Sequence, residues 1–128
     1  MQDLPLSGRT ILVVEDDFFQ AQDLSDELRE QGATLMGPFS TLAAAEAALS
    51  APGEAPDAAI LDIKIRNLLI YPLAQALDEA GIPYLFATGY DQSSVPHGFH
   101  HAPICEKPFQ VRSIVSALCN LCEPALVE

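Results

Sequence analysis

The sequence predicts an α/β fold in which a five-stranded parallel sheet is doubly wound, with helices on both faces. Strand and helix signals alternate along the chain, about five of each, as they do in strand–helix–strand units. Residues 11–14 and Ala58–Leu61 are apolar at every position, which is typical of central strands that are buried on both faces.

The first strand is followed by a helix. Asp17 is placed to cap the N-terminus of this helix. Downstream of it, Ala21, Leu24 and Leu28 recur at helical spacing until Gly32 ends the pattern. Residues 11–14 and this helix therefore form the first unit of the predicted sheet.

The second unit carries weaker signals. Residues 34–36 predict a short strand, which the pair Gly37-Pro38 is expected to break. Ser40 or Thr41 is placed to cap the alanine-rich helix that follows.

The third strand is Ala58–Leu61, and it leads through a loop to a third helix at about Tyr71–Ala80. Pro72 is tolerated in the first turn of this helix, because the N–H that it lacks has no helical partner there. Gly81 is placed to end the helix.

The last part of the chain is the least regular. Residues 83–88 predict a fourth strand, but the segment 89–103 is rich in glycine, proline and serine, so a fourth helix there is expected to be short or irregular. A fifth strand at Ile104–Glu106 precedes the final helix. The apolar stripe of that helix consists of Val111, Ile114, Val115, Leu118 and Leu121.

The composition indicates one globular domain and limits its partners. The chain has 128 residues, a length that suits a single domain with its core at about 9–122 and no output domain. Six basic and eighteen acidic residues give a net charge of −12, which disfavours direct contact with nucleic acid. No stretch resembles a membrane span or a secretory signal, so we expect no membrane association and a cytoplasmic location.

The cysteines form no disulfide framework, as expected in a reducing compartment; they are Cys105, Cys119 and Cys122. The last two are spaced Cys-x-x-Cys, and three histidines lie upstream of them, which raises the question of a zinc site. These are His97, His100 and His101. We expect ordinary packing instead, because a single such pair on a helical pattern lacks a second pair at metal-ligand spacing.

Charged side chains follow three of the predicted strands at the point where each strand ends. Glu15 and Asp16 follow the first strand, Asp62 follows the third, and Lys107 follows the fifth. Because ligands of open parallel sheets bind at the carboxyl ends of the strands, we expect these groups to converge in one crevice. Three carboxylates and an ammonium there indicate a site for a hard cation and a phosphoryl group.

Four short motifs at the strand ends resemble those of bacterial two-component receiver domains. In chain order they are Ile11-Leu12-Val13-Val14-Glu15-Asp16-Asp17, Ile60-Leu61-Asp62, Ala87-Thr88-Gly89 and Lys107-Pro108-Phe109. A longer form of the third motif is similar to that of the single-domain FAT GUY receivers, and it reads Phe86-Ala87-Thr88-Gly89-Tyr90. The resemblance covers nearly the whole chain, residues 1–128, and implies a flavodoxin-like sheet with strand order 2-1-3-4-5.

The resemblance implies that Asp62 is the nucleophile that takes a phosphoryl group from a phosphohistidine. Glu15, Asp16 and Asp62 would supply oxygen ligands to Mg²⁺ or Mn²⁺, with the backbone carbonyl of Lys64 as a further ligand. Without the cation, the clustered carboxylates would repel one another and the incoming phosphoryl group.

Three further residues gain roles from the resemblance. Thr88 and Lys107 would each contact a phosphoryl oxygen, where charge spreads during transfer. Gly89 would let its backbone N–H approach the phosphoryl group closely. A cis bond between Lys107 and Pro108 is also implied, since X-Pro bonds adopt that form readily.

The sequence departs from the common receiver pattern at the aromatic switch. That position, three before Lys107, holds Ile104, and Tyr90 is the candidate replacement. By analogy, Lys64 and Tyr90 flank the path of attack on the phosphoryl group. Their bulk, and the charge of Lys64, predict a phosphorylated form that lasts longer than in receivers with small or amide residues there. The segment 89–103 is predicted to become ordered on phosphorylation.

The expected function is that of a stand-alone phosphoacceptor that takes its phosphoryl group from a histidine kinase or a histidine phosphotransfer protein and signals by binding another protein. Such a chain catalyses only its own phosphorylation and slow dephosphorylation. One alternative is an aspartyl-nucleophile phosphatase of the haloacid dehalogenase type, but such sites need a second aspartate where Lys64 stands. The other alternative is a receiver-like interaction module that is not phosphorylated.

Overall fold

The predicted α/β architecture is confirmed by a computed structural model, which describes residues 4–89, 95–108 and 110–122. Its strands are β1 (Thr10–Val14), β2 (Thr34–Phe39), β3 (Ala58–Leu61), β4 (Lys64–Ile65), β5 (Leu68–Leu69), β6 (Tyr84–Thr88) and β7 (Ile104–Glu106). Its helices are α1 (Phe18–Glu30), α2 (Leu42–Ser50), α3 (Tyr71–Ala80) and α4 (Val111–Cys122), with a 3₁₀-helix at His97–Phe99.

The main sheet contains five parallel strands in the order β2-β1-β3-β6-β7. This is the predicted order 2-1-3-4-5, because β4 and β5 form a separate antiparallel hairpin between β3 and α3. One face of the sheet packs against α2 and α3, and the other against α1 and α4, so the sheet is doubly wound. Strands β1, β3 and β6 are buried along almost their whole length, which explains their unbroken apolar sequences.

Local signals fix the ends of three helices where the sequence predicts them. The Asp17 carboxylate accepts a hydrogen bond from the Gln20 backbone N–H (3.0 Å), and the Thr41 hydroxyl accepts one from the Ala44 backbone N–H (3.1 Å). Each of these N-terminal caps stabilises its helix by about 1 kcal/mol. Gly81 ends α3 in the left-handed conformation, with φ 74°.

The prediction that Gly37-Pro38 breaks the second strand was wrong. Strand β2 continues to Phe39, and its pairing with β1 shifts register at this point. Proline is tolerated because β2 is an edge strand: among the described residues, no further strand pairs with its outer side and needs the missing N–H. Gly37 has φ 104°, and a Cβ there would lie 2.8 Å from the Val13 carbonyl oxygen, so the close approach to β1 requires glycine.

The β4–β5 hairpin, which the structure contains, was not predicted from the sequence. Its two turn residues, Arg66 (φ 49°) and Asn67 (φ 68°), both have positive φ, as type I′ turns require. Asparagine tolerates this conformation, whereas arginine rarely adopts it, and each strand is only two residues long. The sequence signal for this hairpin is therefore weak.

The segment 89–103 contains the 3₁₀-helix His97–Phe99 among its described residues, in agreement with a short or irregular fourth helix. The rings of Phe99 and Tyr71 stack with centroids 5.0 Å apart, which ties this segment to α3. Residues 90–94 lie outside the described part of the chain, so the ordering of the segment on phosphorylation stays a prediction. Across the described ranges, no helix has both the length and the apolar character to cross a membrane.

Candidate functional site

The charged side chains singled out in the sequence meet at the carboxyl edge of the main sheet. Glu15 and Asp16 follow β1, Asp62 follows β3, and Lys107 follows β7. Parallel strands bring these residues together because their carboxyl ends share one edge. We call Glu15, Asp16 and Asp62 the acidic cluster, since one carboxylate oxygen from each lies within 4.8 Å of the others.

Lys107 joins two members of the acidic cluster. Its Nζ donates hydrogen bonds to Glu15 Oε1 (2.5 Å) and to Asp62 Oδ2 (3.0 Å). The Lys107-Pro108 bond is cis, as the resemblance implies, and the Lys107 backbone N–H donates to the Thr88 carbonyl (2.9 Å). The ammonium therefore offsets part of the repulsion among the carboxylates.

Glu15 is the most deeply buried member of the acidic cluster, with 6% of its side chain exposed. Its backbone N–H donates to the Phe39 carbonyl at the end of β2 (3.0 Å), and its Oε2 accepts from the Asp17 backbone N–H (3.1 Å). Burial raises the pKa of the Glu15 carboxyl, although the hydrogen bonds from Lys107 and Asp17 oppose this. Burial lowers the pKa of Lys107, but its hydrogen bonds to Glu15 and Asp62 outweigh this and raise the pKa, so the ammonium keeps its charge at neutral pH.

Asp62 is accessible from solvent. Its backbone N–H donates to the Val14 carbonyl (3.0 Å), which fixes its position beside β1. The side chain of Asp62 is 14% exposed and that of Lys107 is 18% exposed. A groove of about 850 Å³ opens beside them and is lined on one side by α1. A ligand can therefore reach the Asp62 carboxylate.

Thr88 ends β6 at the same edge of the sheet and is fully buried, with 0% exposure. The next residue, Gly89, has open space beside it, because a Cβ there would meet no atom within 4 Å. The Thr88 carbonyl accepts the Lys107 backbone N–H, so Thr88 and Gly89 lie next to Lys107 at this edge of the sheet. Their contacts with a phosphoryl group stay predictions.

Asp16 is held by Arg66, a residue that was not predicted to belong to the site. Its Oδ2 accepts a hydrogen bond from the Arg66 backbone N–H (2.8 Å), and Arg66 Nε donates to the Ser40 carbonyl (3.1 Å). Asp16 and Arg66 are 50 positions apart, so no local pattern links them. The signal that could have found Arg66 is its two-residue turn with Asn67, which is weak for the reasons given above.

The remaining residues singled out in the sequence either lie outside the described residues or are not part of the acidic cluster's hydrogen bonds described above. Tyr90, the switch candidate, and Phe109 lie outside the described residues. Lys64 begins β4 and is exposed, and its role as a carbonyl ligand stays a prediction. Ile104, at the position of the usual aromatic switch, begins β7 and pairs with Phe86 in β6.

The cysteines and histidines take part in packing and local contacts. Within the described ranges, the acidic cluster is the group of side chains arranged to hold a metal ion. Cys119 and Cys122 are free, half-buried thiols on α4 that pack against the core. His101 Nε2 lies 3.0 Å from Asp78 Oδ1 and 3.2 Å from the Tyr84 hydroxyl, which connects the segment before β7 to α3 and β6.

An exposed aromatic pair begins α1, directly after the acidic residues that follow β1. Phe18 is 71% exposed and Phe19 is 77% exposed, and their ring centroids are 5.6 Å apart in an edge-to-face contact. The motifs of the sequence do not single out this pair. Large apolar side chains that stay exposed together are typical of protein contact surfaces.

Comparison with solved structures shows the fold, and one relative is similar enough to show the family. No protein-family model and no curated protein matches the chain. The solution structure of SdrG from Sphingomonas melonis Fr1 is 37% identical, with 94% of this chain and 98% of SdrG covered and a TM-score of 0.76. The response regulator receiver protein from Sinorhizobium medicae WSM419 is 24% identical, with 89% and 94% covered and a TM-score of 0.76. The non-phosphorylated HemR receiver domain from Leptospira biflexa is 21% identical, with 94% and 98% covered and a TM-score of 0.74. The chain therefore belongs to the response regulator receiver domains.

Proposed function

We propose that this receiver is a phosphoacceptor in which Asp62 takes a phosphoryl group from a phosphohistidine of a histidine kinase or a histidine phosphotransfer protein. The observation that carries the proposal is the position of Lys107 Nζ, 3.0 Å from Asp62 Oδ2, beside two further carboxylates. Phosphoryl transfer to a carboxylate needs an accessible nucleophile, a fixed cationic group and oxygen ligands for a metal ion, and this site offers all of them.

The chemistry proposed for Asp62 is a direct displacement at phosphorus. A carboxylate oxygen forms a bond to phosphorus while the P–N bond of the phosphohistidine breaks, and the electron pair of that bond goes to the imidazole nitrogen. The product is an acyl phosphate on Asp62. The Lys107 ammonium and the Thr88 hydroxyl would each contact one phosphoryl oxygen, and the Gly89 backbone N–H would lie close by.

The acidic cluster fits Mg²⁺ or Mn²⁺, because its donors are carboxylate oxygens, the hard ligands that these ions prefer. Glu15, Asp16 and Asp62 would hold the ion, with the backbone carbonyl of Lys64 as a further ligand. When bound, the ion offsets the charge of the carboxylates and of the phosphoryl group. The Lys107 ammonium alone is one positive charge against three negative ones.

The donor and the target are proposed to be proteins. The exposed pair Phe18 and Phe19 lies two and three positions after Asp16, and we propose that the docking phosphodonor contacts it. Signalling would follow from binding of the phosphorylated form to another protein, as proposed for a receiver of the FAT GUY group. Cytoplasmic location stays a prediction from the sequence.

The test of this function uses a small phosphodonor. Incubation of the wild type with acetyl phosphate and Mg²⁺ is expected to add a single phosphoryl group per chain, measured by intact-mass spectrometry. Removal of the metal with EDTA is expected to reduce uptake at least tenfold, a change in barrier of about 1.4 kcal/mol, because the acidic cluster then repels the anionic donor.

Two other outcomes would contradict the proposal. Steady release of inorganic phosphate from small organic phosphates, with no phosphoryl group retained on the chain, would indicate a haloacid dehalogenase-type phosphatase. Absence of uptake with Mg²⁺, with Mn²⁺ and with a phosphorylated histidine kinase would indicate an interaction module that is not phosphorylated.

The lifetime of the acyl phosphate is expected to depend on Lys64 and Tyr90. Replacing both, as Lys64→Asn and Tyr90→Glu, removes a cation and a bulky ring that we propose to shield the phosphoryl group from water. Dephosphorylation of the double variant is expected to be about tenfold faster, which corresponds to about 1.4 kcal/mol of barrier. The measurement is the decay of the phosphorylated mass after the donor is removed, and an equal or slower decay in the variant would refute the prediction.

A further inference from the structure

The β4–β5 hairpin contacts the acidic cluster through one of its turn residues. The Arg66 backbone N–H donates to Asp16 Oδ2 at 2.8 Å. Asp16 is only partly buried, so its carboxylate would otherwise exchange between orientations in contact with solvent. A carboxylate has about four acceptor positions on its two oxygens, so a bond to one N–H leaves capacity for a metal ion.

The side chain of Arg66 anchors this turn to the end of β2. Its Nε donates to the Ser40 carbonyl at 3.1 Å. The carbonyl of the preceding residue, Phe39, accepts the Glu15 backbone N–H at 3.0 Å. Two consecutive carbonyls at the end of β2 therefore fix both acidic residues that follow β1, Glu15 directly and Asp16 through Arg66.

We propose that Arg66 is a positioning residue for the metal site. Its side chain holds the hairpin turn in place, and its backbone N–H then orients the Asp16 carboxylate before the ion arrives. The inference rests on the proposed role of the acidic cluster in binding Mg²⁺ or Mn²⁺. Groups that orient metal ligands in this way commonly change metal affinity about 10- to 100-fold when they are removed.

The sign of the effect separates positioning from simple electrostatics. Arg66 carries a positive charge near a cation site, so loss of that charge alone would tighten metal binding or leave it unchanged. Loss of positioning weakens metal binding. A truncated Arg66 side chain that lowers affinity therefore acts through geometry.

The test is a titration of the metal-free protein with Mn²⁺, with free Mn²⁺ followed by electron paramagnetic resonance. Arg66→Asn keeps a residue that tolerates positive φ but cannot reach the Ser40 carbonyl, and it is expected to bind Mn²⁺ about three- to tenfold more weakly than the wild type. Arg66→Gly, which favours the same turn, is expected to show the same loss. Arg66→Lys keeps a charged donor of similar reach and is expected to recover most of the affinity.

The matched control is Arg29→Gln, which removes one positive charge from an exposed position on α1. Its Mn²⁺ affinity is expected to equal or slightly exceed that of the wild type. Wild-type or tighter binding by both truncated variants would overturn the inference, as would an Arg66→Lys variant as weak as the truncated ones. If the wild type itself neither binds Mn²⁺ nor becomes phosphorylated, the proposed function fails instead. Thermal unfolding of each variant without metal shows whether a loss of affinity reflects unfolding. If one truncated Arg66 variant is unfolded, the Mn²⁺ affinity of the other, folded variant tests the inference.

Discussion

Replacing Asp62 with asparagine is expected to abolish phosphoryl uptake from acetyl phosphate and Mg²⁺, by at least about a hundredfold. The side-chain amide has no anionic oxygen to attack phosphorus, and the substitution also removes one of the three negative ligands of the acidic cluster. Asparagine has nearly the same shape, so the Asp62 backbone contact with the Val14 carbonyl is retained. Intact-mass spectrometry after incubation measures the result.

The control for Asp62→Asn is Glu79→Gln. Glu79 is exposed on α3 and is not among the described residues that line the groove beside Asp62, so its loss is expected to leave uptake at the wild-type level. Thermal unfolding of both variants should show folded proteins, which separates loss of the acceptor from loss of structure. Wild-type uptake by Asp62→Asn would mean that another side chain accepts the phosphoryl group, and the site proposed above would be wrong.

Replacing Phe86 with alanine is expected to lower the free energy of unfolding by about 3–5 kcal/mol. Phe86 is fully buried in β6, two residues before Thr88. Its ring contacts three other aromatic rings, with centroids 5.5 Å from Tyr84, 6.0 Å from Tyr71 and 6.5 Å from Phe99. This loss is a large share of the total, because a domain of this kind is stable by only about 5–15 kcal/mol.

The measurement for Phe86→Ala is urea denaturation, and the matched control is Phe19→Ala. Phe19 is 77% exposed, so its truncation is expected to change stability by no more than about 0.5 kcal/mol. A loss below about 1 kcal/mol for Phe86→Ala would contradict the packing described here. Such a result would mean that the Phe86 ring is not packed between β6, α3 and the 3₁₀-helix.

The strand ends and their charged residues could be predicted because the evidence for them is local. Four or more apolar residues in a row mark a strand that is buried on both faces, as at Ala58–Leu61. The acid or lysine that follows such a run must lie at the carboxyl edge of a parallel sheet. For the same reason the cap Asp17 and the end of α3 at Gly81 were predicted correctly, since each acts on backbone within four residues. The second cap was predicted only as Ser40 or Thr41, and the structure identifies it as Thr41.

The features that escaped prediction depend on contacts between distant parts of the chain. Whether Gly37-Pro38 breaks β2 depends on whether the strand is at the edge of the sheet, and the local pattern does not carry that information. The β4–β5 hairpin places Arg66 in a conformation that arginine seldom adopts by itself. In the folded protein that turn is held by hydrogen bonds to Asp16 and to Ser40.

The sequence by itself determined the order along the chain of the helices and of the five strands of the main sheet, the identity of the acidic cluster and the presence of a lysine at the same edge. It could do so because the burial of a strand and the charge at its end both depend on neighbouring residues. Only the tertiary structure decided how these groups are paired. Lys107 binds Glu15 and Asp62, which precede it by 92 and 45 positions, and Asp16 is bound by Arg66 instead. Such pairings depend on distances across the sheet edge, and those distances exist only after the strands have assembled.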